Sequence, residues 1–398
     1  MKILIINAGS SSLKYQFMDS DSGEVFAKGL CERIGIDGRL THKVPGRDDV
    51  IADIAMPTHS EAIQSVLGIM VDPEKGVISS TNEIDAVGHR VLHGGMAFTE
   101  SCIIDDACIA AIEKCIPLGP LHNPANLMGI RACQKIMPKT KQVAVFDTAF
   151  HMTMPPKAFI YAIPYEYYEN DDVRRYGFHG TSHRYVSARA IAMLGGKKGT
   201  KVICCHLGNG SSLTACIDGK CADTTMGLGP LAGVPMGTRC GDTDATILEY
   251  LMERYGYDIK EMLNILNKKS GVLGISGVSS DFRDLGEAAA NGNERAALAV
   301  EKFVYEVKKS IGAYAAAMGG VDAIVFTAGV GENSKGLRAR LVEGLEYMGV
   351  KLDPEKNNTR GVEAEISADD SKVKVFVIPT NEELMIAMDT AELVMAAK

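Results

Sequence analysis

One short pattern occurs twice in this chain, at the N-terminus and again past the middle. Residues 2–6 are an apolar run, Asn7-Ala8-Gly9-Ser10-Ser11-Ser12 a turn of small residues, and Leu13-Lys14-Tyr15-Gln16-Phe17 a mixed run with aromatics. An apolar run, a Gly/Ser turn and a mixed run predict a β-hairpin. Residues 202–217 repeat it as Val202-Ile203-Cys204-Cys205, then His206-Leu207-Gly208-Asn209-Gly210-Ser211-Ser212, then Leu213-Thr214-Ala215-Cys216. A second pair follows in the same order: Ile84-Asp85-Ala86-Val87 and Val321-Asp322-Ala323-Ile324 each lead into a glycine-containing loop. One such match is chance; two in the same order argue for a duplicated domain.

The rest of the chain fits that frame. A length of 398 residues suits two domains better than one core. Residues 245–267 and 287–318 carry apolar residues at helical spacing, and Val373–Ile378 reads as a buried strand. After that strand, Thr380 with Glu383 makes a capping-box pattern that predicts a final helix. Strands alternating with helices give an α/β class. Pro155-Pro156 interrupts regular structure near the expected boundary, with domains at 1–148 plus 384–398 and at 149–383.

Composition excludes several classes. The net charge of −8 argues against a nucleic-acid partner, so an anionic substrate must be met by locally placed Arg and Lys. No stretch approaches twenty apolar residues, which argues against a membrane span, and the N-terminal run is too short for a signal peptide. Ten cysteines without CxxC spacing point to reduced thiols and a cytoplasmic setting. Loops of Gly and Ser suit phosphate binding, because backbone N–H groups then approach an anion closely. No GxxxxGK[ST] motif occurs, and Gly227–Ala232 matches GxGxxA without following an apolar strand, so neither a P-loop nor a dinucleotide fingerprint is read.

Nine segments, in order, resemble the acetate kinase family: NAGSSSLK at 7–14, GHRVLHGG at 88–95, FDTAFH at 146–151, YGFHGTSH at 176–183, HLGNGSS at 206–212, GTRCGDTD at 237–244, DFRD at 281–284, AGVGEN at 328–333 and TNEE at 380–383. Any one string is weak; the ordered set is specific and runs from the first strand to the last helix. The resemblance implies the fold of the sugar kinase, Hsp70 and actin superfamily: two duplicated actin-like (ribonuclease H-like) α/β domains with a nucleotide cleft between them. It implies reversible, direct in-line transfer of a phosphoryl group from ATP to acetate, giving ADP and acetyl phosphate. It also implies Mg²⁺, replaceable by Mn²⁺, and a homodimer.

By the same resemblance, Asn7 and Glu382 stand near the metal. Read without it, they are a turn Asn and a helix-start carboxylate. Lys14, His206, Leu207, Gly208, Asn209, Gly210, Asp281, Phe282, Arg283, Gly329, Val330, Gly331, Glu332 and Asn333 are implied for the nucleotide. Arg90, His179, Arg239 and Asp147 are implied for catalysis, and Arg90 for the substrate carboxylate as well. Guanidinium forks match the charge that spreads over the equatorial oxygens of a phosphoryl group in flight. Asp147 ends an apolar run, a common place for a catalytic carboxylate and also for a turn Asp. The acid substrate is already ionised at neutral pH, so ordering Mg²⁺ and its water suits Asp147 better than general-base work. The spacing of His179 and His183 fits a metal pair, yet no third ligand pattern accompanies it. Leu92, Leu121, Phe178 and Pro230 are implied to meet the alkyl group of the acid. Leu92 stands where the family often has Val, which shrinks that pocket by a methylene.

Two rivals remain at this level. A propionate or butyrate kinase would keep every catalytic residue and differ in the apolar pocket. A nucleotide-driven chaperone or filament protein would share the fold but need no pair of Arg90 and Arg239.

Overall fold

The computed structural model describes residues 1–120 and 122–397. The chain divides into two compact units, Met1–Phe150 with Asn381–Lys398, and His151–Thr380. The breaks thus fall at 150/151 and 380/381 rather than at 148/149 and 383/384, which places Glu382 with the first unit.

The first unit is built on an eight-stranded sheet: β1 (Lys2–Ala8), β2 (Leu13–Asp19), β3 (Val25–Glu32), β4 (Arg39–Lys43), β5 (Val50–Asp53), β6 (Ala86–Val91), β7 (Cys102–Ile103) and β8 (Lys141–Phe146). Its spatial order is β5-β4-β3-β2-β1-β6-β8-β7. The second unit has six strands: β9 (Lys201–Leu207), β10 (Ser211–Ile217), β11 (Lys220–Thr224), β12 (Ala323–Thr327), β13 (Ala364–Glu365) and β14 (Lys374–Val377), in the order β11-β10-β9-β12-β14-β13. A five-strand block is common to both, β3-β2-β1-β6-β8 and β11-β10-β9-β12-β14. In each, two antiparallel hairpins precede two parallel neighbours.

The repeat reaches single hydrogen bonds. Asp85 Oδ2 accepts from the Lys2 N–H at 2.8 Å while the Asp85 N–H donates to the Lys2 carbonyl at 3.0 Å. Asp322 does the same with Lys201, at 2.7 and 2.8 Å. These are the aspartates of the second sequence match, and each fixes the start of a parallel pair.

The apolar runs are buried on both faces, as parallel strands require. Along β1, Leu4, Ile6 and Ala8 pack with Ala62 and Val66 of helix His59–Met70 and with Ala132 of helix Asn123–Ile136. The alternate residues Ile3 and Ile5 pack with Ile386, Ala387 and Val394 of helix Glu382–Ala396. Each such Leu, Ile or Val side chain contributes roughly 1.5–3 kcal/mol. In the second unit Ile203, Cys205 and Leu207 of β9 meet Phe303, Val307 and Ile311 of helix Glu294–Met318.

Three local expectations change. The stretch 245–267 is two helices, Thr246–Tyr255 and Ile259–Lys268, because Gly256 takes a left-handed φ of 72° and Asp258 opens a new capping box with Glu261. The stretch 287–318 breaks where Asn293 caps Glu294–Met318 by accepting from the Ala296 N–H. The last helix is capped by Asn381, whose Oδ1 accepts from the Leu384 N–H at 3.0 Å, and not by Thr380 with Glu383. That helix reaches the sheet through Gly88, where a Cβ would lie 2.6 Å from both Ile386 Cγ2 and Thr390 Oγ1. A bare backbone on β6 therefore lets the helix that begins with Glu382 sit close, two residues before Arg90.

Candidate active site

In the first unit, β1, β6 and β8 are mutually parallel and end in Asn7, Arg90 and Asp147 at or just past their C-terminal ends. Ligands of open α/β sheets gather at that edge. Asn7 lies opposite Lys14 across the hairpin. Arg90 grips Asp147 with two bonds, Nε to Oδ1 at 2.9 Å and Nη2 to Oδ2 at 2.7 Å. The Asp147 side chain is fully buried, and its charge holds the Arg90 guanidinium well above the usual arginine range. Two of the five guanidinium N–H groups are spent on this fork; three are left for a ligand.

Burial pushes the Glu382 carboxyl up to about 7. Arg90 and Lys14 pull it down, while Asp147 and Glu383 push it further up. Ionised Glu382 thus stands chiefly short of solvation, which a bound cation would offset. Among the described residues no three His, Cys, Asp or Glu side chains form a metal cage. Mg²⁺ does not need one, since it keeps waters and takes one or two carboxylates plus substrate phosphates. The oxygen donors Asn7 and Glu382 fit such an ion.

Loop anchors complete this edge. Asn126 accepts from the Leu92 N–H at 3.0 Å and donates to the Ala8 carbonyl at 2.9 Å, tying together the chain that leaves β6 and the end of β1. Asn123 accepts from the His93 N–H at 3.1 Å and donates to the His93 carbonyl at 2.9 Å. Leu92 is buried between these ties. Leu121 lies outside the described residues.

In the second unit, His179 precedes helix Gly180–Met193 with a left-handed φ of 58°. Its ring stacks on His206 at 4.1 Å between centroids, and His206 Nδ1 is bonded to Ser182 Oγ at 2.8 Å. Ser212 Oγ lies 2.9 Å from His179 Nδ1 and 2.7 Å from His183 Nε2. Gly210 is the crossing point: a Cβ there would meet His179 Nε2 at 3.4 Å and Arg239 Nη1 at 3.5 Å. Arg239 itself donates to the Pro230 carbonyl at 3.1 Å and faces no carboxylate among the described residues. Burial alone lowers its pKa. A half-buried guanidinium beside a histidine and a glycine is poised for an anion. Phe178 is buried, its carbonyl accepting from His151 Nε2 at 2.9 Å.

The same unit contains a cavity of ≈690 Å³ lined by Gly208, Asn209, Asp281, Phe282, Arg283, Gly329, Val330 and Asn333, and also by Ser280, Ser334 and Arg360. Its volume falls in the usual range for small-molecule sites. One wall is the turn from β12 into helix Ala328–Asn333, where Ala328 holds a φ of 63°, a conformation costly for a residue with a Cβ. Arg338 fixes that wall from behind. It is fully buried and donates to the carbonyls of Gly331, Glu332, Asn357 and Thr359 at 2.8–2.9 Å.

The structure thus gathers eight of the residues expected at the nucleotide around one cavity. His206, Leu207, Gly210, Gly331 and Glu332 do not line it: His206 and Gly210 lie with His179, Leu207 is in the core, and Glu332 Oε1 accepts from the Thr380 N–H at 3.2 Å. Lys14 belongs to the first unit, beside Asn7 and Glu383 at a separate ≈290 Å³ pocket. Sequence reading missed Arg360, Ser280, Ser334 and the anchors Asn123, Asn126, Ser212 and Arg338. Ser212 alone carried a signal, as the counterpart of Ser12 in the repeated turn.

Comparison with known proteins adds to this geometry. The sequence pattern of the acetokinase family matches residues 2–388. An acetate kinase of Caldanaerobacter subterraneus subsp. tengcongensis is 60% identical over the whole of both chains. The crystal structure of acetate kinase from Porphyromonas gingivalis superposes with a TM-score of 0.95 at 48% identity, covering 99% of each chain. That of a propionate kinase from Francisella tularensis subsp. tularensis gives 0.92 at 41% identity, covering 98% of this chain and 99% of its own.

Proposed function

Because this chain belongs to the acetokinase family, we propose that it is a cytoplasmic, homodimeric kinase that transfers the γ-phosphoryl group of ATP directly and reversibly to acetate. The observation that carries this reading is Arg239, which faces no carboxylate among the described residues, beside His179 in the unit that also holds the ≈690 Å³ cavity. A cavity of that size suits a nucleoside with its phosphates. An arginine without a counter-charge suits the phosphoryl group that leaves them.

The first unit supplies the acid's side of the reaction. Arg90, held rigid by Asp147, keeps three N–H groups with which to orient the acetate carboxylate, whose oxygen is the nucleophile. No proton need be removed, since the acid is ionised at neutral pH. As the phosphoryl group leaves ADP, Arg239 and His179 donate to its equatorial oxygens, and these contacts strengthen as charge develops. Mg²⁺ or Mn²⁺, held by Asn7 and Glu382, would neutralise phosphate charge. Asp147 accepts from Arg90 with both oxygens and holds that guanidinium in place, and each oxygen keeps a lone pair with which to order water on the metal. Acetyl phosphate is itself a high-energy donor, which makes the reaction reversible.

The relative at 60% identity favours acetate, while the propionate kinase at 41% keeps the longer acid as the second reading. The test is hydroxamate formation from ATP and hydroxylamine with acetate, propionate and butyrate, compared as kcat/KM. The expected order is acetate, then propionate, then butyrate. A preference for butyrate, or no acyl product with any acid, overturns the proposal.

A further inference from the structure

We propose that Ser212 and His183 are positioning residues that lock His179 in its Nε2–H tautomer; this rests on reading His179 as the donor to the transferring phosphoryl group.

Ser212 Oγ lies within hydrogen-bond reach of two imidazoles, His183 Nε2 at 2.7 Å and His179 Nδ1 at 2.9 Å, yet a hydroxyl has one proton to give. One ring must therefore donate to it. His183 is fully buried, and burial, with His151 and His206 beside it, keeps it neutral. A neutral ring carries a single proton. His183 Nδ1 is buried and meets no hydrogen-bond partner among the described residues. A proton there would be an orphaned donor, which folded proteins avoid more strictly than a bare lone pair.

The proton of His183 is thus on Nε2, donated to Ser212. The hydroxyl proton of Ser212 then goes to His179 Nδ1. That nitrogen is an acceptor, so neutral His179 carries its proton on Nε2, which a Cβ on Gly210 would meet at 3.4 Å, with Arg239 Nη1 at 3.5 Å from the same point. A chain of two bonds from the interior aims a donor at the place where the anion would sit. With the opposite tautomer, His179 would present a lone pair to a phosphoryl oxygen and repel it.

The test uses full-length protein labelled with ¹⁵N-histidine, as parent, Ser212→Ala, Ser212→Thr and His183→Gln. The His179 signals are identified by their loss in His179→Ala. Protonated and bare ring nitrogens resonate far apart, so the tautomer is read directly without ligand or turnover. Expected are Nε2–H in the parent, in Ser212→Thr and in His183→Gln, whose amide still donates to the hydroxyl, and a tautomer mixture in Ser212→Ala. The kcat of Ser212→Ala should fall about 10–100-fold, the range seen when an outer partner that orients a working histidine is removed. KM for ATP should barely move, and Ser212→Thr should recover most of the rate. A proton on Nδ1 in the parent, or an unchanged tautomer in Ser212→Ala, overturns the inference; the parent spectrum alone suffices if a variant fails to fold. If the tautomer responds as expected while kcat does not, the relay stands and the role given to His179 falls.

Discussion

The two units share a five-strand block and differ in what they place at its ends. In the first, the guanidinium of Arg90 is forked onto Asp147 and sits among carboxylates, Glu382 and Glu383 included. In the second, Arg239 meets a carbonyl and a thioether and no carboxylate among the described residues, and its neighbour across Gly210 is the imidazole of His179. One edge is rich in negative charge and invites a cation; the other leaves a positive charge uncompensated and invites an anion. Duplication copied the strands, down to the aspartates that start each parallel pair, and left the chemistry of the ends free to diverge. A scaffold fixes where side chains project, while solvation and charge decide what they bind.

The comparison breaks most visibly at its two arginines. Arg239→Ala should cost on the order of 10³-fold in kcat, as for other charge-stabilising arginines in phosphoryl transfer, with a much smaller change in KM for acetate. Arg239→Lys should recover part of this, since an ammonium keeps the charge and loses the two-pronged contact. The melting temperature should stay near the parent's, because Arg239 has no ion partner among the described residues to abandon. Steady-state kinetics beside thermal melts decide the matter. A kcat within a few-fold of the parent would remove Arg239 from the chemistry.

Asp147→Asn should behave in the opposite manner. It strips the counter-charge from Arg90 at a carboxylate with no solvent exposure, and removing one partner of a buried pair costs about 3–5 kcal/mol. Arg90 keeps 27% exposure, so the lower end of that range is expected. The melt should drop by several degrees, with a loss of rate that raising acetate does not restore. An unchanged melt would show that the fork holds nothing in place.

A smaller effect separates the two edges by pH. The Glu382 carboxyl sits at about 7 in the folded chain against about 4.5 when unfolded, so the folded state binds more protons between those values. Stability without metal therefore falls as pH rises from about 4.5 through 7 and levels off above. Glu382→Gln should remove that slope and melt higher than the parent at pH 8. Added Mg²⁺ should raise the parent's melt at pH 8 and leave the variant's unmoved. Because the ion needs the ionised carboxylate, its apparent affinity should weaken below pH 7, by up to about tenfold per unit. Melts at pH 5 to 8 with and without Mg²⁺ check all three signs. Parallel curves for parent and variant would make Glu382 a helix-start carboxylate and nothing more.

How much of this was legible in the sequence follows from the range of the interactions. The repeated hairpin was visible because strands and turns are written locally, in Ile3–Ile6 and Val202–Cys205 and in the small residues between runs. The cavity-lining loops were recognisable only as a set of motifs. Helix breaks at Gly256 and Asn293 were overlooked because apolar spacing continues across them; the caps, not the apolar face, end those helices. Arg338 and Asn126 were invisible, since a buried arginine bound to carbonyls and an asparagine joining Leu92 to Ala8 depend on partners that only folding brings near. His183 was weighed as a metal ligand, and its bond to Ser212 gives it a different occupation.

The smallest effect belongs to a residue with no charge at all. Leu92 follows the strand that carries Arg90; it is buried, and its N–H is pinned to Asn126, so its side chain has little freedom to drift. If the alkyl group of the acid meets it, Leu92 sets size and not rate. Leu92→Val removes one methylene. At the lower end of the about 1–3 kcal/mol that a methylene in an apolar pocket is worth, the ratio of kcat/KM for propionate over acetate should rise by about tenfold. Leu92→Ala should raise it further, at a cost of roughly 2–5 kcal/mol in stability from the cavity it leaves. In the proposed reaction Arg90 and Arg239 would act on groups that every short-chain acid shares, so neither should alter that ratio when replaced. Measuring the ratio in Leu92→Val, Leu92→Ala and Arg239→Lys separates size from charge. A ratio that moves in Arg239→Lys and stays fixed in the Leu92 variants would take Leu92 out of the pocket and place selectivity at the charged edge.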